Sequence, residues 1–306
     1  MEIRYLEPLS RAWERMTVAL FKPFDIKKWF LIGFTAFLAG LIDCQGNGGS
    51  GSNNGGCGDS DLSDVIQLPG RAWEWLKENP GWFLLIILGI LVLMTFVAVL
   101  TWLSSRGKFM FLHNVVNDCA EVVNPWHKYR AQGDSLFLWR LCFGFIGLGI
   151  ILLLIVSAFY IAYNAHERNF SKQMTVLYAI GLAFLALAIG LIAGYISLFL
   201  NDFVVPVMYK HEIAATEAWR RLIPVFSKHV LHFFFYGIFV FLLVILALIA
   251  LVVAGFCTCC IGFLLMVIPY IGAVFTLPIS YTLRAFSAEF LAQFGPELNV
   301  FPQPAD

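Results

Sequence analysis

Long stretches without a charged residue dominate the pattern of this chain. A helix rises about 1.5 Å per residue, so crossing about 30 Å of hydrocarbon takes about 20 apolar residues. Four segments without Asp, Glu, Lys or Arg reach that length, namely 81–105, 141–164, 173–201 and 229–283. The last has 55 residues and divides at the turn-like sequence Cys257-Thr258-Cys259-Cys260 into two helices. The pattern therefore predicts five membrane spans.

A shorter apolar stretch decides the number of crossings. Residues 29–42 form a run of 14 uncharged residues between Lys28 and Asp43, which is also short enough for an interfacial or re-entrant segment. If it crosses, the 20 basic residues divide 16 to 4 between the two faces, whereas without it they divide 10 to 10. Lys and Arg accumulate on the cytoplasmic side of membrane proteins. We therefore expect six spans with both termini cytoplasmic, near 29–43, 81–104, 139–163, 174–200, 230–255 and 261–283.

Amphipathic segments accompany the predicted spans. Residues 1–28 predict an interfacial helix, because apolar residues recur at spacings of 3 and 4 along one face. This face consists of Leu6, Leu9, Trp13, Met16 and Leu20. A related pattern, with Ala-Trp between charged residues, recurs at 10–16, 70–76 and 216–222. Either a duplicated unit or selection of Trp at membrane interfaces explains it, and both predict that Trp13, Trp73 and Trp219 are interfacial anchors.

Composition supports a membrane protein. Apolar residues make up 60% of the chain and charged residues 13%, against about 45–50% and about 25% in soluble domains. The expected fold is all-α, a single polytopic helix bundle over residues 1–306. Residues 44–80 form a non-cytoplasmic loop with a flexible Gly/Asn/Ser-rich part. The 20 basic and 20 acidic residues balance, which gives no support for a nucleic-acid partner.

Cysteine placement is the most specific local signal. Five of the seven cysteines fall on the predicted non-cytoplasmic face, where an oxidising compartment would favour disulfides. These candidates are Cys44, Cys57, Cys257, Cys259 and Cys260. Free thiols and a thiolate metal site are the alternatives. His229 and His232 also have a spacing that can hold a metal, although interfacial histidines are commoner at such a boundary, and we predict neither metal nor cofactor.

Two charged residues lie at the ends of predicted spans. Asp202 directly follows the fourth span, and Arg284 lies at the end of the sixth. Both ends face the cytoplasm in the six-span arrangement, so the two side chains could meet in a polar contact. Charge buried in a membrane is costly and is usually paired or functional. The alternative is that each side chain extends separately to the headgroup region.

Short motifs suggest a family. Asn201-Asp202-Phe203-Val204-Val205-Pro206-Val207-Met208 with Ala218-Trp219, and the ending Phe290-Leu291-Ala292-Gln293-Phe294-Gly295-Pro296, resemble an uncharacterised prokaryotic six-span family. That family is similar to the membrane domain attached to some glycerophosphodiester phosphodiesterases. The resemblance implies a helical membrane protein. The soluble phosphodiesterase barrel and its metal-binding residues have no counterpart in this sequence, so the resemblance transfers no catalytic position.

Two function classes follow from these observations. The chain contains no P-loop, dinucleotide fingerprint, HExxH or Gly-x-Ser-x-Gly motif. Charged residues are scarce inside the predicted spans, which favours a non-enzymatic protein of the cell membrane that organises lipid, a membrane protein partner or further copies of itself. The alternative is a transporter or permease for a lipid-like or small apolar solute.

Overall fold

The computed structural model is helical throughout the part of the chain that it describes. The described residues are 3–43, 74–75, 77–167, 172–258 and 261–302. They are 87% helical and contain no strand, which confirms the all-α prediction. Four of the helical segments are long and apolar enough to cross a membrane: Pro80–Asn117, Arg130–Tyr163, Gln173–His211 and Val230–Cys257.

The helices are numbered here in chain order. They are α1 (Leu6–Phe21), α2 (Ile26–Gly40), α3 (Pro80–Asn117), α4 (Val123–Lys128), α5 (Arg130–Glu167), α6 (Lys172–Phe199), α7 (Val205–His211), α8 (Ala215–Lys228), α9 (Val230–Cys257), α10 (Ile261–Val267), α11 (Pro269–Phe275) and α12 (Leu277–Ala292). A π-helical turn, Leu200–Val204, joins α6 to α7.

Helix boundaries differ from the predicted spans at both ends of the chain. The predicted span at 261–283 is not one continuous helix but comprises α10, α11 and the start of α12. Pro269 forces this break, because the residue before a proline favours extended backbone and Ile268 is extended, with ψ of 112°. The predicted span at 29–43 corresponds to α2, which has only 15 residues. The predicted span at 81–104 lies within α3, which continues to Asn117.

The chain divides into two compact units. The first unit comprises residues 1–49, 100–140 and 196–306, and the second comprises 50–99 and 141–195. Within the second unit, large apolar side chains of α3, α5 and α6 are exposed, including Leu84, Leu153 and Phe184. Helices that expose apolar side chains in this way need an apolar solvent.

A densely packed aromatic core fills the first unit. Tyr236 of α9 lies with its ring centroid 4.6 Å from that of Phe290 and 4.8 Å from that of Phe203. Helix α1 packs against α12 through small and flexible side chains, with Ala12 and Met16 fully buried. Aromatic pairs at such distances add stability beyond the apolar area that they bury. This core fixes the relative positions of α9, α12 and the π turn.

Candidate functional site

A cavity of about 130 Å³ lies in the first unit, where five helical elements meet. Its walls are apolar on α2 and α9 and charged near the π turn. The lining residues are Ala36, Ala39, Gly40, Asp43, Lys108, Phe111, Asn201, Asp202, Tyr236, Val240, Val244, Ser280, Leu283 and Arg284. The volume is roughly ten times the minimum that admits one water molecule. The cavity therefore has room for a small polar group.

Lys108 is a buried cation that is held by two partners. It lies on α3 with 5% of its side chain exposed, pairs with the carboxylate of Asp43, and donates to Oδ1 of Asn201. Asp43 follows the end of α2 and also accepts a hydrogen bond from Nη2 of Arg140 at 2.6 Å. Removing an ion from water costs several kcal/mol unless partners compensate for it. Asp43 provides this compensation for both cations.

Arg284 is a buried cation that is only partly satisfied. Its side chain lines the cavity and the residue is 9% exposed. Nη1 donates to the backbone carbonyl of Asn201. Nε and Nη2 are buried and have no hydrogen-bond partner among the residues that the structure describes. An unsatisfied buried donor costs about 1–3 kcal/mol, and more when it is charged.

The π turn explains why the Asn201 carbonyl is free to accept from Arg284. In a regular α-helix the N–H of Val205 would donate to that carbonyl, but here it donates to Leu200 instead. Pro206 follows directly and has no N–H to continue the regular pattern. Single π turns of this kind occur frequently at functional sites. The turn also brings Asn201 and Asp202 to the cavity together.

Asp202 and Arg284, predicted to form a polar contact, line the same cavity but do not form a direct ion pair. Oδ2 of Asp202 accepts a hydrogen bond from the hydroxyl of Tyr236 at 2.9 Å. Arg284 uses the neighbouring backbone carbonyl. The two side chains therefore have different hydrogen-bond partners within the same cavity.

The sequence pattern did not indicate three charged residues of this site, of which Asp43 and Lys108 line the cavity and Arg140 pairs with Asp43. Asp43 was treated as the end of a span, whereas Lys108 and Arg140 were counted as loop cations. The missed signal is the run Phe109-Met110-Phe111-Leu112 directly after Lys108, which continues an apolar helical pattern through the charged residue. Two further members of the same segment, Ser104 and Ser105, are also buried.

The predicted interfacial tryptophans occupy different environments. Trp13 is 61% exposed on α1, as an anchor requires. Trp219 is partly buried, and its ring stacks on Trp139 at 5.6 Å and on Phe199 at 5.3 Å, so it also has a packing role. Trp73 lies outside the described residues. The anchor role stays a prediction for all three.

The structure gives little support to the cysteines as disulfide partners or to the two histidines as metal ligands. Cys257 is exposed at the end of α9 and has no disulfide with another described cysteine. Cys44, Cys57, Cys259 and Cys260 lie outside the described residues, so the disulfides stay a prediction. The rings of His229 and His232 lie 5.8 Å apart. Within the described ranges, no three His, Cys, Asp or Glu side chains cluster as a metal site would require.

These features define a class, an all-helical protein with several helices able to span a membrane and a charged cavity among packed helices. The chain belongs to a family of unknown function (DUF7544), whose model matches residues 4–298. No curated protein and no solved structure matches the chain.

Proposed function

We propose that this protein is a non-enzymatic, multi-pass protein of the cell membrane that organises lipid. The observation that supports this best is the cavity in the first unit. Its wall on α9, a candidate span, is apolar, and its other end carries Lys108 and Arg284. A lipid has the same division into apolar chains and a polar headgroup.

Helix α1 supports a role at the membrane surface. Leu6, Trp13 and Phe24, in α1 and the segment after it, are exposed, while Glu7 and Arg11 form an ion pair of 2.6 Å on the helix surface. An exposed apolar group beside charged side chains suits the boundary between headgroups and acyl chains. The proposal therefore includes α1 as an interfacial helix, held to the first unit by its packing against α12.

The proposal includes six crossings with both termini in the cytoplasm. Four are the candidate spans, and α2 and the segment from α10 to α12 would supply the other two. Helix α2 is about 22 Å long by its rise, shorter than a bilayer core of about 30 Å. Lys28 near its start pairs with Asp118 at 2.9 Å, and Asp43 beyond its end pairs with Arg140 and Lys108. A crossing by α2 thus requires residues 108–118, at the end of α3 and directly after it, to lie in the bilayer too.

Single-cysteine accessibility tests this arrangement. Lys27→Cys and Leu41→Cys, each introduced into a chain lacking other cysteines, would be labelled in sealed vesicles with a membrane-impermeant maleimide. Six spans predict labelling of the two positions from opposite faces. Labelling of both from one face would show that α2 does not cross, and the charged cavity would then lie beside the cytoplasmic headgroups.

Lipid binding and transport can be separated directly. The purified protein should retain lipid in native mass spectrometry and should cause no solute uptake in proteoliposomes. Empty liposomes and liposomes that contain an unrelated membrane protein are the controls. Uptake specific to one solute would overturn the organising role.

A second candidate is a transporter or permease for a lipid-like or small apolar solute. Two helix interruptions favour it, namely the π turn, which lines the cavity, and the break before Pro269. Broken helices frame the binding sites of many transporters. Protein-dependent movement of a fluorescent lipid between leaflets would support this candidate.

A further inference from the structure

Arg284, which lines the cavity, has two unsatisfied N–H groups in an arrangement that matches an oxyanion. The two unsatisfied nitrogens of Arg284 are Nε and Nη2, while Nη1 is already bound to the Asn201 carbonyl. Nε–H and Nη2–H point in parallel from one edge of the guanidinium, which is the edge that binds two oxygens of a phosphate or carboxylate at once. The two unsatisfied N–H groups of Arg284 thus lie on the same edge and can bind two oxygens of one oxyanion.

Counted as formal charges, the described residues that line the cavity, together with Arg140, which pairs with Asp43, carry one more positive charge than negative charges. Lys108, Arg140 and Arg284 carry three positive charges, whereas Asp43 and Asp202 carry two negative ones. Asp43 is shared between Lys108 and Arg140. An uncompensated ion away from water is strongly unfavourable. A ligand with one negative charge would balance this group of residues.

Asp202 limits the charge of that ligand. Its Oδ2 accepts a hydrogen bond from Tyr236, and Asp202 lines the same cavity as Arg284. The first negative charge of a dianion would neutralise the surplus positive charge, and the carboxylate of Asp202 would repel the second. The site therefore favours a monoanion over a dianion.

The apolar wall indicates where the rest of the ligand goes. Val240 and Val244 line the cavity from α9, and their neighbours Phe241 and Ile245 are exposed on the same candidate span. An acyl chain leaving the cavity along α9 would therefore remain in contact with apolar side chains.

We infer that the cavity binds the phosphodiester of a monoanionic phospholipid, with the free edge of Arg284 on two phosphate oxygens and Lys108 beside them. This inference rests on the proposed lipid-organising function and names the lipid group recognised. Free phosphate and a fatty-acid carboxylate share the oxyanion chemistry, so the test has to separate them from the lipid.

The experiment uses the delipidated full-length chain in detergent. Phosphatidylglycerol, phosphatidic acid, oleate and inorganic phosphate are titrated separately, and binding is followed by native mass spectrometry and by the shift in thermal unfolding. Wild type should bind phosphatidylglycerol most tightly. Arg284→Lys keeps the charge but loses the two-nitrogen edge, so it should weaken binding about tenfold, as expected for a charged hydrogen bond. Arg220→Gln, on the exposed surface of α8, is the matched control and should bind as wild type does.

Asp202→Asn is the second variant, and it keeps the inference testable even if Arg284→Lys fails to fold. It removes a negative charge from the cavity while keeping an oxygen for Tyr236. Binding of phosphatidylglycerol should become tighter, and the preference for phosphatidylglycerol over phosphatidic acid should diminish. A folding defect would weaken binding instead, so an increase is specific to the inferred site.

Three results would overturn the inference. Equal phosphatidylglycerol binding by wild type, Arg284→Lys and Asp202→Asn would show that the lipid does not bind at the inferred site. The proposed lipid-organising function would not be affected by that result. Stabilisation by inorganic phosphate alone, or by oleate alone, would assign the cavity to a free anion or to a carboxylate. Absence of bound lipid in all variants, together with solute uptake, would instead reject the proposed function itself.

Discussion

Replacing Arg15 is expected to destabilise the protein more than replacing its partner Glu289. Nε of Arg15 on α1 lies 2.6 Å from Oε1 of Glu289 on α12. The side chain of Glu289 is 6% exposed, whereas that of Arg15 is 43% exposed. Loss of Arg15 therefore leaves a buried carboxylate, whereas loss of Glu289 leaves a cation that water or headgroups can solvate.

The burial of the two side chains sets the size of this difference. Leaving one buried member of an ion pair alone costs about 3–5 kcal/mol. Arg11 remains 3.9 Å from Glu289 and reduces that cost, so Arg15→Gln should lower the free energy of unfolding by about 2–3 kcal/mol. Glu289→Gln removes a pair whose cation is well solvated, and should cost about 1 kcal/mol. The double variant should be more stable than Arg15→Gln alone, because the isolated carboxylate is then absent.

Reversible unfolding in mixed detergent, followed by tryptophan fluorescence, measures these differences. Arg15 also lies over the ring of Phe301, 3.9 Å from its centroid. Phe301→Leu is the control that reports this contact separately. Equal losses for the two single variants, or a larger loss for Glu289→Gln, would refute the argument from burial.

Three further predictions concern packing and reactivity. Gly107→Ala should lower the free energy of unfolding by about 1–3 kcal/mol, because its Cβ would lie 2.7 Å from the backbone of α2. Gly144→Ala, with open space around its Cβ, should leave the stability unchanged or raise it slightly in the same assay, because alanine favours helix over glycine. Trp219→Ala should cost about 3 kcal/mol in that assay through lost stacking, and an unchanged midpoint would contradict the packing role. Burial, and then the charge of Glu121, raise the pKa of the Cys119 thiol. Its alkylation should therefore accelerate only at alkaline pH, and Glu121→Gln should move the rate profile to lower pH, with movement upward contradicting the reasoning.

The helical character of the chain was predictable from local pattern. Uncharged runs of 20 or more residues have few alternatives to helix, because every backbone polar group has to be satisfied within the segment when lipid surrounds it. The predicted spans at 139–163, 174–200 and 230–255 accordingly lie within α5, α6 with its π turn, and α9. The proline-containing segment at 261–283 was misjudged, because hydropathy does not register the helix break that Pro269 causes.

The candidate site was only partly predictable. Asp202 and Arg284 stood out because they interrupt apolar segments, and both line the cavity. Lys108 did not stand out, because a count of basic residues assigns it to a loop although it lies within α3. The hydrogen bond from Arg284 to the Asn201 carbonyl depends on a single shifted backbone hydrogen bond in the π turn, which no spacing of residue types reveals.

Local sequence is enough to specify that this chain forms apolar helices, because helix formation and partition into lipid depend on neighbours within about 20 residues. Which charged side chains come together depends instead on how the helices pack. Asp43, Lys108, Arg140 and Arg284 come from four distant parts of the chain, and their contacts depend on how α2, α3, α5 and α12 pack. Ionic contacts act through space, so their energies are set by distance and burial, which are properties of the folded chain.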